Sequence, residues 1–129
     1  MASTLQTSAS AYPTLSFNTQ TGTTYTFVLS DGNNTLVTLN NSSAITLTVP
    51  PNSSVAFPVG AILQFAQIGA GQVTVAAGSG VTINYTPGLK TRAQYSSASL
   101  IQTATNTWLL SGDIRSEEHT SQLQSRVDI

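Results

Sequence analysis

The sequence contains very few charged side chains and no cysteine. Asp, Glu, Lys and Arg make up 7% of the 129 residues, and the formal net charge is −1, whereas about 25% charged residues is usual for soluble domains. Without cysteine, the chain forms neither a disulfide framework nor a thiolate centre. Because no basic stripe is present, we expect no nucleic-acid partner. No run approaches the ~18 apolar residues of a membrane span, so membrane insertion is not expected either.

Groups that perform catalysis are almost absent from residues 1–114. This region has no histidine, and its charged side chains are Asp31, Lys90, Arg92 and Asp113. A Ser-His-Asp or Cys-His arrangement therefore cannot be built, and ligands for a metal site are too few. Both aspartates lie beside glycines in turn-like stretches, which favours turn roles over a catalytic carboxylate pair. A Ser–Lys pair that uses Lys90 is a minor alternative. We predict no catalytic residue, no metal, no cofactor and no enzymatic activity.

Short apolar runs separated by turn residues dominate the rest of the sequence. In residues 45–49, Ile45, Leu47 and Val49 alternate with threonines and are predicted to point inward, and two prolines then end the strand. Similar runs, rich in Val, Ile, Thr and Tyr, recur roughly every 8–12 residues between Gly, Pro and Asn turns, a spacing typical of a sandwich or barrel. The predicted fold is all-β, an antiparallel, jelly-roll-like β-sandwich of about eight to ten short strands.

The composition divides the chain into a polar N-terminal arm or linker (residues 1–20), a β-sandwich domain (21–114) and a C-terminal tail (115–129). For Tyr12, Leu15 and Phe17 in the arm, a short first strand or docking on the domain is the alternative. Alternating strand positions favour core packing over sugar stacking for most aromatic side chains. The predicted core consists of Tyr25, Phe27, Ile45, Leu47, Phe65, Val73, Val81, Ile83, Trp108 and Leu110. Tyr85 and Tyr95 flank a Thr-Pro-Gly turn and are expected to be half exposed. Together with Arg92, they are the candidate ligand contacts.

The composition changes abruptly at Arg115. Residues 115–129 hold five charged side chains and His119, the one histidine of the chain. Residues 115–125 read RSEEHTSQLQS and resemble the in-frame translation of a common sequencing-library adapter, with Gln122 as the one departure. We therefore predict a non-native or disordered tail over residues 115–129. A native charged tail is the alternative.

A set of short motifs is spread along residues 23–114. They are Leu29-Ser30-Asp31, Ile45-Thr46-Leu47-Thr48-Val49-Pro50, Val59-Gly60, Gly69-Ala70-Gly71-Gln72-Val73, Gly80-Val81-Thr82-Ile83, Arg92-Ala93-Gln94-Tyr95 and Asn106-Thr107-Trp108-Leu109-Leu110-Ser111-Gly112-Asp113. Together these motifs resemble a β-domain of tailed-bacteriophage virion proteins, often placed at the C-terminal end of tail-fibre-like chains.

The resemblance implies an all-β virion appendage module, commonly a homotrimer, that projects from the particle or touches the host surface. It supplies no catalytic residues to carry over. The partners it implies are further copies of the chain, other virion proteins and a host-surface glycan. The implied location is the virion, after synthesis in the bacterial host cytoplasm.

The expected function is a non-enzymatic structural or adhesive module, either a fibre knob or a capsid or tail decoration protein. A monomeric carbohydrate-binding module is the alternative. Because no long upstream region precedes the domain here, a stand-alone knob, a decoration protein and a fragment of a longer fibre all stay open.

Overall fold

The computed structural model describes residues 14–116. Within that range the chain forms eleven short strands and one 3-10 turn (Leu29–Gly32) but no α-helix, which confirms the predicted all-β class. The strands are β1 (Ser16–Gln20), β2 (Thr24–Thr26), β3 (Thr35–Leu39), β4 (Ile45–Val49), β5 (Ile62–Gln67), β6 (Val73–Ala77), β7 (Thr82–Asn84), β8 (Lys90–Thr91), β9 (Ser97–Ala104), β10 (Thr107–Gly112) and β11 (Ile114–Arg115).

The strands pair in two mixed sheets. One has the order β1-β3-β5-β9-β10-β7, and the other has the order β11-β8-β6-β4-β2. Neighbours along β1-β3-β5 and along β2-β4-β6 run parallel. Each pair of consecutive strands, β1–β2, β3–β4 and β5–β6, therefore forms one coil of a solenoid-like stack. The chain then turns back, and antiparallel pairs join β9 to β5 and β10 and join β8 to β6 and β11.

This topology corrects the predicted antiparallel sandwich. Five of the nine strand pairings in the described range are parallel. The prediction failed because a half-buried strand shows the same alternation of inward and outward side chains in either direction. The sequence pattern therefore gives the strands and their faces but not their relative direction.

The corners of the coils stack closely on one another. The Asn41 side chain donates to the carbonyl oxygen of Thr21 in the preceding coil at 2.7 Å. The backbone N–H of Gly71 in the following coil donates to the carbonyl oxygen of Asn41 at 2.8 Å. A side chain at position 71 would overlap the carbonyl oxygen of Ser43, so only glycine lets the second and third corners approach this closely.

The core lies between the two sheets. Its buried apolar members are Phe27, Val37, Leu39, Ile45, Leu47, Val49, Phe57, Leu63, Phe65, Val73, Val75, Ala98, Leu100, Trp108, Leu110 and Ile114. Seven of the predicted core residues are in this group, and the other three, Tyr25, Val81 and Ile83, are partly buried and pack against it. Burial of each Val, Leu, Ile or Phe side chain contributes roughly 1.5–3 kcal/mol, so this cluster supplies the main driving force for folding.

A buried polar cluster joins the two sheets through Gln67 and Thr91. The Thr91 hydroxyl donates to the Gln67 side-chain oxygen, and it accepts from the backbone N–H of Val73 at 3.0 Å. The Gln67 side-chain nitrogen donates to the carbonyl oxygen of Gly69 at 3.1 Å. A buried polar group without a partner costs stability, so these bonds fix the position of β8 against β5 and β6.

The sheets extend beyond both predicted domain boundaries. β1 lies within the segment assigned to the N-terminal arm, and Arg115 in β11 pairs with Lys90 in β8. The rest of the predicted arm, residues 1–13, and the rest of the predicted tail, residues 117–129, lie outside the described residues.

Candidate functional site

The outer face of the six-stranded sheet presents two rows of side chains built from distant parts of the sequence. The strand register places Phe17, Leu36, Gln64, Ser99 and Ser111 side by side across five strands. The second row runs across four strands through Ile62, Ile101, Leu109 and Asn84. We call the outward surface formed by these nine residues the neutral face.

Large apolar side chains on the neutral face are open to solvent. Phe17 is 70% exposed, and Ile62 and Leu109 are each nearly half exposed. None of the nine residues carries a charge. The charged side chains between residues 14 and 116 are Asp31, Lys90, Arg92, Asp113 and Arg115, which lie in the five-stranded sheet, in the connecting segments and in the 3-10 turn. The face therefore combines exposed apolar surface with the absence of charge.

A groove of about 440 Å³ crosses the middle of this face. β9 and β10 contribute small side chains to it, namely Ser97, Ala98, Ser99, Ser111 and Gly112. Gln64 and Phe65 of β5, Leu36 of β3 and Leu15 before β1 complete its lining. Gly112 has φ 135°, and a side chain there would come within 2.7 Å of the Ala98 Cβ. We call this depression the serine groove.

Two of the three candidate ligand contacts share one loop. Arg92 and Tyr95 both lie in the segment between β8 and β9, where Tyr95 is 72% exposed with φ 72°. Positive φ is uncommon for a residue other than glycine. Two hydrogen bonds hold the loop: the Tyr95 N–H donates to the carbonyl oxygen of Gln67 at 2.6 Å, and the Gln94 side chain donates to the carbonyl oxygen of Ile68 at 2.9 Å.

Arg92 is held by a bidentate ion pair. Its Nε and Nη2 donate to the two carboxylate oxygens of Asp113 at 2.8 and 3.0 Å, and the Ser96 hydroxyl donates to the same carboxylate at 2.7 Å. The hydrogen bonds from Arg92 and Ser96 lower the pKa of Asp113, and the same carboxylate raises the pKa of Arg92. The pair is exposed, so it orients the guanidinium more than it stabilises the fold.

Tyr85 lies apart from these two candidates in sequence. It follows β7, an edge strand of the six-stranded sheet, whereas the Arg92–Tyr95 loop follows β8 of the other sheet. Tyr85 is about half exposed, at 48%, as the sequence predicted.

A buried polar network at Asp31 was not predicted. Asp31 is 1% exposed, and its carboxylate accepts from the Tyr25 hydroxyl at 2.7 Å and from Asn18 Nδ2 and the Val28 N–H at 2.9 Å each. Burial, followed by the contact with Asp31, raises the pKa of Tyr25 to about 12. With three donors around it, Asp31 ties β1, β2 and the 3-10 turn together, which is a structural role.

Within residues 14–116, no three His, Cys, Asp or Glu side chains come close enough to form a metal-ligand group. No helix in this range has the length and apolar character needed to cross a membrane. Comparison with protein-family models and with curated proteins finds no match for this chain.

Proposed function

We propose that the chain is a non-enzymatic structural or adhesive module of a bacteriophage virion whose copies assemble into a homotrimer. The observation that carries the assembly is the neutral face, which exposes Phe17, Ile62 and Leu109 and has no charge. The virion assignment comes from the resemblance that the sequence motifs carry. The last of these motifs, residues 106–113, contains β10.

Physical chemistry favours self-association through such a face. Large exposed apolar patches on a folded domain mark interaction sites. Burying charged groups carries a desolvation penalty that often exceeds the gain from pairing them, and a neutral surface avoids this penalty. Two copies of a neutral face therefore lose little polar solvation when they meet and gain apolar burial.

The mass of the protein in solution tests the assembly. Light scattering coupled to size-exclusion chromatography should give about three chains per particle at low salt and at 1 M salt. Salt at 1 M shortens the Debye length to about 3 Å but leaves apolar burial intact. A monomer at tens of micromolar would contradict the proposed trimer. A trimer that dissociates at high salt would indicate that ion pairs, rather than apolar burial, hold the subunits together.

Particle composition tests the virion assignment separately. Purified particles of the phage that encodes the chain should contain it as a structural protein, with a copy number that is a multiple of three. An antibody raised against residues 14–116 should label intact particles. Particles without the chain would contradict the virion assignment, whatever the mass in solution.

A carbohydrate-binding module is a second candidate, and the Arg92–Tyr95 loop favours it. An exposed aromatic ring can stack on a sugar, and an oriented guanidinium in the same loop can donate hydrogen bonds to it. A glycan array should then show binding that Tyr95→Ala abolishes, with Val59→Ala as the matched control at an exposed apolar position in another loop. If no glycan binds, this candidate is excluded.

A further inference from the structure

We infer that a polar pocket at the open edge of β1 binds a neutral saccharide. The pocket has a volume of about 350 Å³. Two segments contribute most of its lining: β1, through Ser16, Phe17 and Asn18, and the 3-10 turn with the residue after it, through Ser30, Asp31 and Asn33. We call it the edge pocket. It is a different site from the Arg92–Tyr95 loop, and the inference does not rest on the proposed assembly.

Hydrogen bonds hold the two sides of the edge pocket in place. Asn18 on β1 donates to the buried Asp31 carboxylate at 2.9 Å, which ties the strand to the turn. The Thr35 hydroxyl, at the start of β3, reaches the carbonyl oxygens of Ser30 and Asn33 at 3.3 and 3.1 Å. A ligand therefore meets a site that is already formed, and little ordering of the protein opposes binding.

Several polar side chains of the lining are available to a ligand. Within residues 14–116, the side chains of Ser16, Ser30 and Asn33 make no hydrogen bond, and all three residues are exposed. A hydroxyl and a carboxamide can each both donate and accept. The edge pocket therefore offers mixed donors and acceptors, which suit a ligand whose polar groups are hydroxyls.

Phe17 adds an apolar surface and two backbone groups. It is 70% exposed, and it lines the edge pocket but not the serine groove. Ser16 and Gln20 use their backbone groups on the β3 side of β1, so the N–H and C=O of Phe17 face the opposite side. No strand between residues 14 and 116 pairs with that side. The ring can stack on the apolar face of a sugar while the backbone groups bind its hydroxyls.

The charge of the edge pocket favours a neutral ligand. Asp31 is the one charged residue in its lining, and no Lys or Arg of the described residues lines it. A phosphate, sulfate or carboxylate group would therefore meet a negative charge and no cation. A hard metal ion needs six or more oxygen ligands, usually with several carboxylates, and only one carboxylate is present. A neutral saccharide matches both the aromatic surface and the uncharged polar groups.

A glycan array followed by calorimetry tests the site. The array presents neutral, sialylated and phosphorylated glycans, and isothermal titration with the strongest neutral binder gives the dissociation constant. Phe17→Ala removes the stacking surface, and Asn33→Ala removes a polar group that lies outside the neutral face. Asn52→Ala is the matched control, because Asn52 is also an exposed asparagine but lies between β4 and β5. Far-UV circular dichroism and thermal unfolding establish that each variant is folded.

We expect Phe17→Ala to weaken saccharide binding by about tenfold or more, through loss of the aromatic contact. Asn33→Ala should weaken it by about threefold to tenfold, as loss of one neutral hydrogen bond does, and Asn52→Ala should leave it unchanged. In heteronuclear NMR spectra, the amide signals of Phe17, Ser30 and Asn33 should shift as the saccharide is added, whereas that of Tyr95 should not.

Three results would overturn the inference. They are an array on which no neutral glycan binds, a dissociation constant that Phe17→Ala and Asn33→Ala leave unchanged, and an equal loss of binding in Asn52→Ala. Binding that Tyr95→Ala abolishes while these two variants retain it would place the sugar at the Arg92–Tyr95 loop and reject only the edge pocket. The mass in solution is measured separately, so a monomeric chain would contradict the proposed trimer without affecting this site.

Discussion

Replacement of Trp108 with alanine tests whether the closing hairpin anchors the core. Trp108 lies in β10, is 1% exposed, and meets the Phe57 ring edge-on, with ring centroids 5.5 Å apart and an interplanar angle of 87°. This contact joins the loop before β5, which carries Phe57, to strand β10. Loss of the indole would leave a cavity between the sheets.

The size of the effect follows from this burial. A buried tryptophan removes about 150–250 Å² from water, which corresponds to about 4–6 kcal/mol at ~25 cal/mol per Å². Alanine keeps the Cβ and the cavity partly collapses, so we expect a loss of about 3–5 kcal/mol. Because domains of this size have total stabilities of about 5–15 kcal/mol, this loss is a large share of the total, and the urea midpoint of the variant should fall well below that of the wild type.

The assay is urea unfolding followed by far-UV circular dichroism, because the substitution removes the only tryptophan. Val59→Ala, at an exposed position, should change the free energy of unfolding by no more than about 0.5 kcal/mol. A double-mutant cycle with Phe57→Leu should give a coupling of about 0.5–1.5 kcal/mol for the edge-on pair. A urea midpoint for Trp108→Ala equal to that of the control would refute the reasoning. It would indicate that Trp108 lies at the surface, where its ring could stack on a ligand.

Three further predictions concern the Asp31 network, the coil corners and the C-terminal strand. The stability of the wild type should fall as pH rises from 10.0 to about 12, because Tyr25 ionises in the unfolded chain before it ionises in the folded one. Tyr25→Phe should reduce that fall and should cost roughly 1–3 kcal/mol at neutral pH by removing a donor from buried Asp31; equal urea midpoints from pH 8 to 12 would contradict this. Gly71→Ala should lower the melting temperature far more than Gly22→Ala, where a methyl group meets only ordinary contacts, and equal shifts would show that the corners separate easily. Deletion of residues 117–129 should leave the melting temperature unchanged, whereas deletion from residue 114 removes buried Ile114 and β11 and should lower it; a large loss from the shorter deletion would mean that the tail is native structure.

Most strands could be predicted from the sequence because alternating side chains and turn residues are local patterns. The alternation in residues 45–49 predicted β4 and its inward side chains. β8 is short and ends at Thr91. Beyond it, Tyr95 adopts positive φ and bonds to Gln67, a tertiary contact that no local pattern contains.

The candidate site was less predictable than the fold. Tyr85 is half exposed, as expected from the turn that it flanks, whereas Tyr95 is more exposed than expected, at 72%. The neutral face did not, because Phe17, Gln64 and Ser111 become neighbours only through parallel and antiparallel registers that the sequence pattern does not encode. Phe17 was assigned to the N-terminal arm, with a short first strand as the alternative, and it is this alternative that the structure has as β1.

The scarcity of charge removes one common barrier to self-association from this fold. Many β-proteins place lysine or other charged residues on edge strands and open faces, which opposes uncontrolled association. Here β1 is an edge strand without charge, and the face beside it carries exposed Phe17 and Leu109 but no Lys or Glu. Nothing on such a surface repels a second copy, so any self-association of the chain would lead either to a closed assembly or to edge-to-edge aggregation. The two outcomes differ in one observable: a closed assembly reaches a constant mass as concentration rises, whereas edge-to-edge aggregation gives a mass that keeps increasing.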